Sequence, residues 1–173
     1  MIMTTTLVGQ GCADIVGDAI ASTADWADAH LLIDTGGDTE AMDAARTAAG
    51  DRARAAAFAW IDDYSAARNF ALDEATRQGA TWAVTLDPDE RIHLDAGDLR
   101  AALGSTDAGC LLLHEQSGRY AKERLFRLPC TERFSGIVHE AFAGYRVGAE
   151  TLPAGFFEEL PKSPDALDSK SWR

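Results

Sequence analysis

A chain of 173 residues, 46% of them hydrophobic and 25% charged, has the length and composition of one globular domain able to bury a real core. Its 28 acidic residues against 16 basic ones leave a net charge of −12, which argues against sequence-independent nucleic-acid binding and against docking on anionic membranes. No stretch approaches the roughly 18 apolar residues of a membrane span, Met1 to Gly9 carries no basic leader region, and Cys12, Cys110 and Cys130 form no CxxC pair; the expectation is a cytoplasmic protein with three reduced thiols.

In chain order, Thr4 to Val8 reads as a strand rich in β-branched residues, followed by Ile15, Val16, Ala19 and Ile20 at helical spacing. Leu31-Leu32-Ile33 is a compact strand that ends in Asp34, and Gly36-Gly37 breaks it. Asp38 suits the N-cap of a helix running through Arg46, with Glu40 favourably placed in the first turn. Ala55 to Trp60 is expected as a third strand, weakly marked because alanine is a poor strand former. Asp62 or Asp63 then caps a helix that ends near Gly79. Trp82 to Leu86 forms a fourth strand and runs into an acidic tetrad. A short helix around Leu99 to Leu103 follows, then an apolar strand at Cys110 to Leu113, and strands near Leu125 to Leu128 and Ile137 to Phe142. From Pro153 the chain holds three of its five prolines, and from Pro161 it is polar, so residues 153–173 are expected as a loosely held tail behind a domain of residues 1–152.

Strand–helix alternation over about 110 residues predicts an α/β fold, a mostly parallel sheet with helices on both faces. Ligands in such sheets bind beyond the carboxyl ends of the strands, and here those ends carry Asp34 and Asp87.

The tetrad Asp87-Pro88-Asp89-Glu90 is the most informative segment. Pro88 favours extended backbone at Asp87, and in extended chain residues two apart point the same way. Asp87 and Asp89 are therefore expected to converge on one hard divalent cation, Mg²⁺ or Mn²⁺, whose shell phosphate oxygens complete. An EF-hand loop is excluded because Arg91 and Ile92 stand where it needs Asp or Asn and then Gly. Arg91 likewise excludes a phosphatase-type D-x-D-x-[TV] motif. The second element is Trp60-Ile-Asp-Asp-Tyr-Ser-Ala-Ala-Arg-Asn-Phe-Ala-Leu72, which sets Arg68 in the first turns of a capped helix. There an Arg can make forked contacts with phosphate or carboxylate, or pair with a nearby acid such as Asp62.

Five segments in this order resemble glycosyltransferase family 2, with its GT-A fold. They are Ile33-Asp34-Thr35-Gly36-Gly37-Asp38-Thr39, Asp63 to Leu72, Trp82 to Glu90, Arg124-Leu125-Phe126-Arg127, and Phe134-Ser135-Gly136-Ile137-Val138-His139-Glu140. The likeness covers residues 4 to about 142. It implies a nucleoside-diphosphate sugar as donor and an acceptor hydroxyl attacked with inversion at the anomeric carbon. Asp34 would touch the base or ribose, and Arg68 would hold the nucleotide end. Asp87 would handle ribose, while Asp89, with His139, would lie at the metal–diphosphate. His139 and Glu140 would stand near the sugar or acceptor, with Glu140 as the base that deprotonates the hydroxyl and Glu115 behind it.

Two departures from the family pattern stand out. Relatives carry a Lys-Asn-Glu-Glu-like stretch after strand one, where this chain has Gly9-Gln10-Gly11-Cys12-Ala13-Asp14. Many also have a late His-Tyr-Gly-like element, where Ala154-Gly155-Phe156-Phe157 stands here. These leave two rival readings, a GT-A domain that binds a nucleotide or partner without transferring sugar, and a nucleotidyltransferase. The second needs a glycine-rich basic phosphate loop, and Gly9-Gln10-Gly11 has no adjacent Lys or Arg.

Overall fold

The computed structural model describes residues 1–137, 140–142 and 150–160. Strand β1 (Ile2–Val8) is central and almost wholly buried, as its β-branched run requires. Helix α1 (Ala13–Ala21) leads to β2 (Ala29–Asp34), and α2 (Thr39–Ala49) is capped by Asp38, whose carboxylate accepts from Ala41 N at 2.9 Å. A 3₁₀ turn at Gly50–Arg52 opens β3 (Ala53–Ala57). This strand is shorter than expected and lies at the sheet edge with its alanines largely exposed, which explains its weak sequence signal. Asp63, not Asp62, caps α3 (Tyr64–Arg77).

The chain continues through β4 (Trp82–Thr85), β5 (Glu90–His93), α4 (Ala96–Ser105), β6 (Cys110–His114) and β7 (Ala121–Arg127). The strand expected over Ile137 to Phe142 is instead a short antiparallel pair, β8 (Phe134–Ser135) with β9 (Ala141–Phe142). The last strands are β10 (Glu150–Thr151) and β11 (Phe156–Glu159).

Seven strands form the main sheet in the order β10-β6-β7-β4-β1-β2-β3. β1 runs parallel to β2 and β4, β2 to β3, and β10 to β6, while β7 alone is antiparallel to its neighbours β4 and β6. The sheet is therefore mostly parallel, as expected, and the carboxyl ends of β2 and β4 lie on one edge. That edge holds both Asp34 and Asp87. Helices α1 and α2 cover one face with Val16, Ile20, Met42 and Ala45. Helix α3 covers the other with Ala71, Leu72 and Ala75 against Met3, Leu31 and Phe126. Among the described residues no helix is long and apolar enough to cross a membrane. All three cysteines are free thiols.

The segment after Pro153 is not loosely held as far as Leu160. β11 pairs antiparallel with β5, and Phe157 is fully buried beside Ile92 in the core. Two apolar residues followed by two acids conceal this strand in the sequence, because the partner strand lies more than sixty residues earlier. Residues 161–173 lie outside the described residues.

Candidate functional site

The parallel strands aim their carboxyl ends at one edge, and the chain turns sharply there. After β4, Asp87-Pro88-Asp89-Glu90 does not stay extended. Glu90 N donates to Asp87 O at 2.9 Å, closing a β-turn with Pro88 and Asp89 at its centre. Pro88 supplies the fixed φ that suits the second position of such a turn. The expected convergence of Asp87 and Asp89 through extended backbone is thereby replaced by a turn that separates their roles.

The Asp87 carboxylate is enclosed by guanidinium groups. Arg68 Nη2 donates to Oδ1 at 2.9 Å, and Arg124 Nη2 to Oδ2 at 3.3 Å. Burial alone would raise this carboxyl, but the charges of Arg68 and Arg124 outweigh it and hold Asp87 well below the ordinary range. Arg68 also donates from Nε to Glu140 Oε1 at 2.7 Å, so one side chain joins the end of β4 to the segment before β9. Its partners raise the Arg68 pKa against the opposing effect of burial. Asp62 is not the partner of Arg68. It accepts instead from the Trp60 indole N–H at 3.0 Å.

Glu90 is buried and meets Arg124, with Lys122 Nζ at 3.3 Å. Burial and the nearby Asp87 charge push its carboxyl upward, against Arg124 and Lys122. Lys122 reaches Glu159 on β11, which links the C-terminal strand to the same network. Lys122 and Arg124 are two apart on β7 and so share a face. In a chain poor in basic residues, that spacing was the signal available for both, and it went unread. Among the described residues the array joins three basic side chains (Arg68, Lys122, Arg124) to four carboxyl groups (Asp87, Glu90, Glu140, Glu159), one more acid than base before Asp89 is counted.

Helix α3 holds residues 134–137 with one face. Ser65 Oγ donates to Gly136 O at 2.6 Å, and Tyr64 N donates to Ile137 O at 3.2 Å. Asn69 pairs twice with Phe134, donating to its carbonyl at 3.0 Å and accepting from its N–H at 2.9 Å. Beneath, the rings of Phe126, Phe134 and Phe142 meet edge to face with centroids 4.7–5.3 Å apart. Positions 65, 68 and 69 fall on one side of a helix. The sequence marked Arg68 but gave no role to Ser65 or Asn69, because their partners are backbone atoms some seventy residues away.

The remaining expected residues are placed as follows. Asp34 ends β2, half-buried, with Oδ1 accepting from Gly36 N at 2.9 Å. It lies on the site edge but outside the arginine network. Glu115 binds the backbone N–H of Ser117 in the turn between β6 and β7 and touches neither Arg68, Asp87 nor Glu140 among the described residues. His139 lies outside the described residues. Among the described residues no group of three or more His, Cys, Asp or Glu gathers to hold a metal ion. With Asp87 engaged by two arginines, Asp89 is the tetrad carboxylate left without a side-chain partner among them. This donor set fits a divalent cation only in the manner of Mg²⁺, held by one or two carboxylates and completed by phosphate and water oxygens.

No family model matches the chain. A TPR repeat-containing protein of Synechococcus elongatus is 36% identical over 120 residues, which cover 67% of this chain and 28% of that protein. TarS of S. aureus, solved as residues 1–349, superposes with a TM-score of 0.51 at 11% identity, over 73% of this chain and 47% of its own. A second TarS structure gives 0.51 at 12% identity, over 73% of this chain and 28% of its own. A Desulfovibrio desulfuricans G20 protein described as a nucleotide-diphospho-sugar transferase gives 0.46 at 14% identity, over 73% and 63%. The chain spans about a quarter of the curated relative and less than half of either TarS chain. Its fold is the GT-A fold of nucleotide-diphospho-sugar transferases.

Proposed function

We propose that this chain is a glycosyltransferase domain that binds a nucleoside-diphosphate sugar at the carboxyl edge of its sheet and moves the sugar to an acceptor hydroxyl. The observation that carries the reading is the Arg68 bridge, which brings Asp87 and Glu140 to one guanidinium on that edge. Asp34 ends β2 and Asp87 lies two residues beyond β4, on strands that flank β1 and stand roughly 10 Å apart. In this reading Asp34 meets the nucleoside, and Asp87 orients the ribose while Arg68 and Arg124 fix its carboxylate.

The array's excess of acids opposes an anionic diphosphate unless a cation accompanies it. Asp89 would hold a divalent ion shared with the phosphates, which would supply positive charge for the departing diphosphate. Glu140 is the proposed base. Arg68 fixes its position by donating from Nε at 2.7 Å, and the Ser65 and Asn69 bonds hold Gly136 and Phe134 against α3. The Glu140 oxygen that accepts from Arg68 must be freed to reach the acceptor hydroxyl, so the reading requires Arg68 to shift toward the donor during transfer. Displacement by the acceptor oxygen from the face opposite the leaving group gives inversion.

A domain that binds nucleotide without transferring sugar is favoured by the same ion pairs if Arg68 does not shift. A thermal-shift screen of UDP, GDP, CDP, ADP and dTDP, each with and without Mn²⁺, tests the donor reading, since a ligand that binds only the folded state raises its stability. A rise with at least one nucleotide, larger with Mn²⁺, is expected. No rise with any of them refutes it. For a nucleotide sugar that binds, Glu140→Gln slowing transfer or hydrolysis while sparing binding supports the base assignment, and an unchanged rate opposes it.

A further inference from the structure

Among the described residues, four of the six exposed large hydrophobic side chains gather at one place. Trp60, Ile61 and Tyr64 lie between β3 and the first turn of α3, and Ile137 is bound to Tyr64 through its carbonyl. Trp60 is 36% exposed and Tyr64 39%. Exposed apolar clusters of this kind mark binding surfaces, and this one sits on the site edge. Phe58 N donates to Asp34 O at 2.8 Å, so the chain leaves β3 beside Asp34 and reaches Trp60 two residues later. Tyr64 and Arg68 are four apart on α3 and share its face. Trp60 therefore follows the end of β3, and Asp34 on β2 stands between that end and Asp87 beyond β4.

The rings meet at 72° with centroids 4.8 Å apart, which forms a corner rather than a closed stack. The Trp60 indole N–H is already held by Asp62, whose backbone takes φ 57°. The ring is fixed before any ligand arrives, and its remaining surface is π face. Asp62, Asp63 and the chain's net charge of −12 make this an unfavourable seat for an anionic membrane or a nucleic-acid backbone.

We propose that Trp60 and Tyr64 form the stacking platform for the nucleobase of the donor. This inference rests on the donor reading above and names the part of the donor that it holds. From β3 to β4 the sheet edge spans three strand spacings, roughly 14 Å. A nucleotide laid along it puts its base at the end of β3 against Trp60 and Tyr64, its ribose at Asp34 on β2, and its phosphates past β1 toward Asp87 and Asp89 on β4. Phe58, two residues before Trp60, packs on Phe70 of α3 at 5.3 Å between ring centroids and anchors the chain where it leaves β3.

The test compares wild type, Trp60→Phe, Trp60→Ala and Tyr64→Ala by calorimetry and tryptophan fluorescence. The probes are UDP, GDP, CDP, ADP, dTDP, inorganic pyrophosphate and a neutral saccharide panel of glucose, N-acetylglucosamine and cellobiose. Thermal unfolding of each variant confirms the fold, and these surface changes leave the core intact. Stacking predicts that the bound nucleotide quenches fluorescence in wild type and that the quench disappears in Trp60→Phe while binding persists. Loss of the ring in Trp60→Ala weakens nucleotide binding roughly 10-fold, and pyrophosphate binding is equal in all four proteins. Nucleotide affinity unchanged in both Trp60→Ala and Tyr64→Ala overturns the platform and leaves the donor reading standing. Binding of a saccharide that depends on Trp60, with nucleotide binding indifferent to it, overturns it in favour of an acceptor site. Absence of nucleotide binding to wild type overturns the donor reading and the platform together.

Discussion

Replacing Arg68 with Met removes the charge that joins Asp87 to Glu140 while keeping the length of the side chain. Arg68 is 11% exposed at its side chain, and its two partners 25% and 17%. Removing one member of a buried ion pair costs roughly 3–5 kcal/mol, because the other charge is left unpaired. Two features reduce that figure here. Asp87 keeps Arg124 at 3.3 Å, and both carboxylates retain some contact with water. A loss of about 2–3 kcal/mol is therefore expected, read as a lower midpoint of urea unfolding with an unchanged slope. The paired variant Glu140→Gln isolates the second contact. In a double-mutant cycle Arg68 and Glu140 should couple by about 1–2 kcal/mol. An Arg68→Met protein within about 0.5 kcal/mol of wild type, or a coupling near zero, would refute the bridge as an organising element of the site.

Three further outcomes follow from the packing. His30 is fully buried, with Nδ1 bonded to Thr4 Oγ1 at 2.9 Å, and burial, aided by Arg52, lowers its pKa to about 4. The unfolded chain takes up the proton first, so this contribution is complete above pH 6.5 and is lost as the pH falls through 6.5 toward 4, on the order of 3 kcal/mol in all. Urea midpoints across that window should fall less steeply for His30→Gln, and an equal slope contradicts the assignment. Phe157→Ala should cost about 3–5 kcal/mol in equilibrium unfolding, since the ring is fully buried; a loss below about 1 kcal/mol would mean that β11 is not part of the core. Asn69→Ala leaves both the N–H and the carbonyl of Phe134 without partners and should cost about 1–3 kcal/mol. Hydrogen exchange at Phe134 should accelerate in that variant, and unchanged exchange would argue against the clamp.

The parts of the fold legible in the sequence were those governed by local pattern. The β-branched run of β1, the cap Asp38, a cap at Asp62 or Asp63 and the strand that runs into the acidic tetrad each follow from neighbouring residues, and the parallel sheet follows from their alternation. Long-range pairing was not legible. The turn at Pro88-Asp89 was read as extended because Pro permits both conformations, and Glu90, which closes the turn, pairs with distant Glu159 on β11. At the site, Asp34, Arg68, Asp87 and Glu140 were named from the sequence, and the structure adds the contacts that unite the last three. Arg124, Lys122 and Glu159 were missed because a charge on a strand announces its face but not the acid opposite it.

Calorimetry of nucleoside diphosphates, with Mn²⁺ present and with it removed by EDTA, on wild type and Asp89→Asn tests the central claim most directly. Asp89 carries no side-chain bond among the described residues, so the substitution should leave the fold and the Arg68–Asp87–Glu140 bridge in place, which a thermal scan checks. The account predicts that wild type binds at least one of UDP, GDP, CDP, ADP and dTDP more tightly with Mn²⁺, and that Asp89→Asn loses that gain. Equal affinity of the folded variant, with and without the ion, would contradict it.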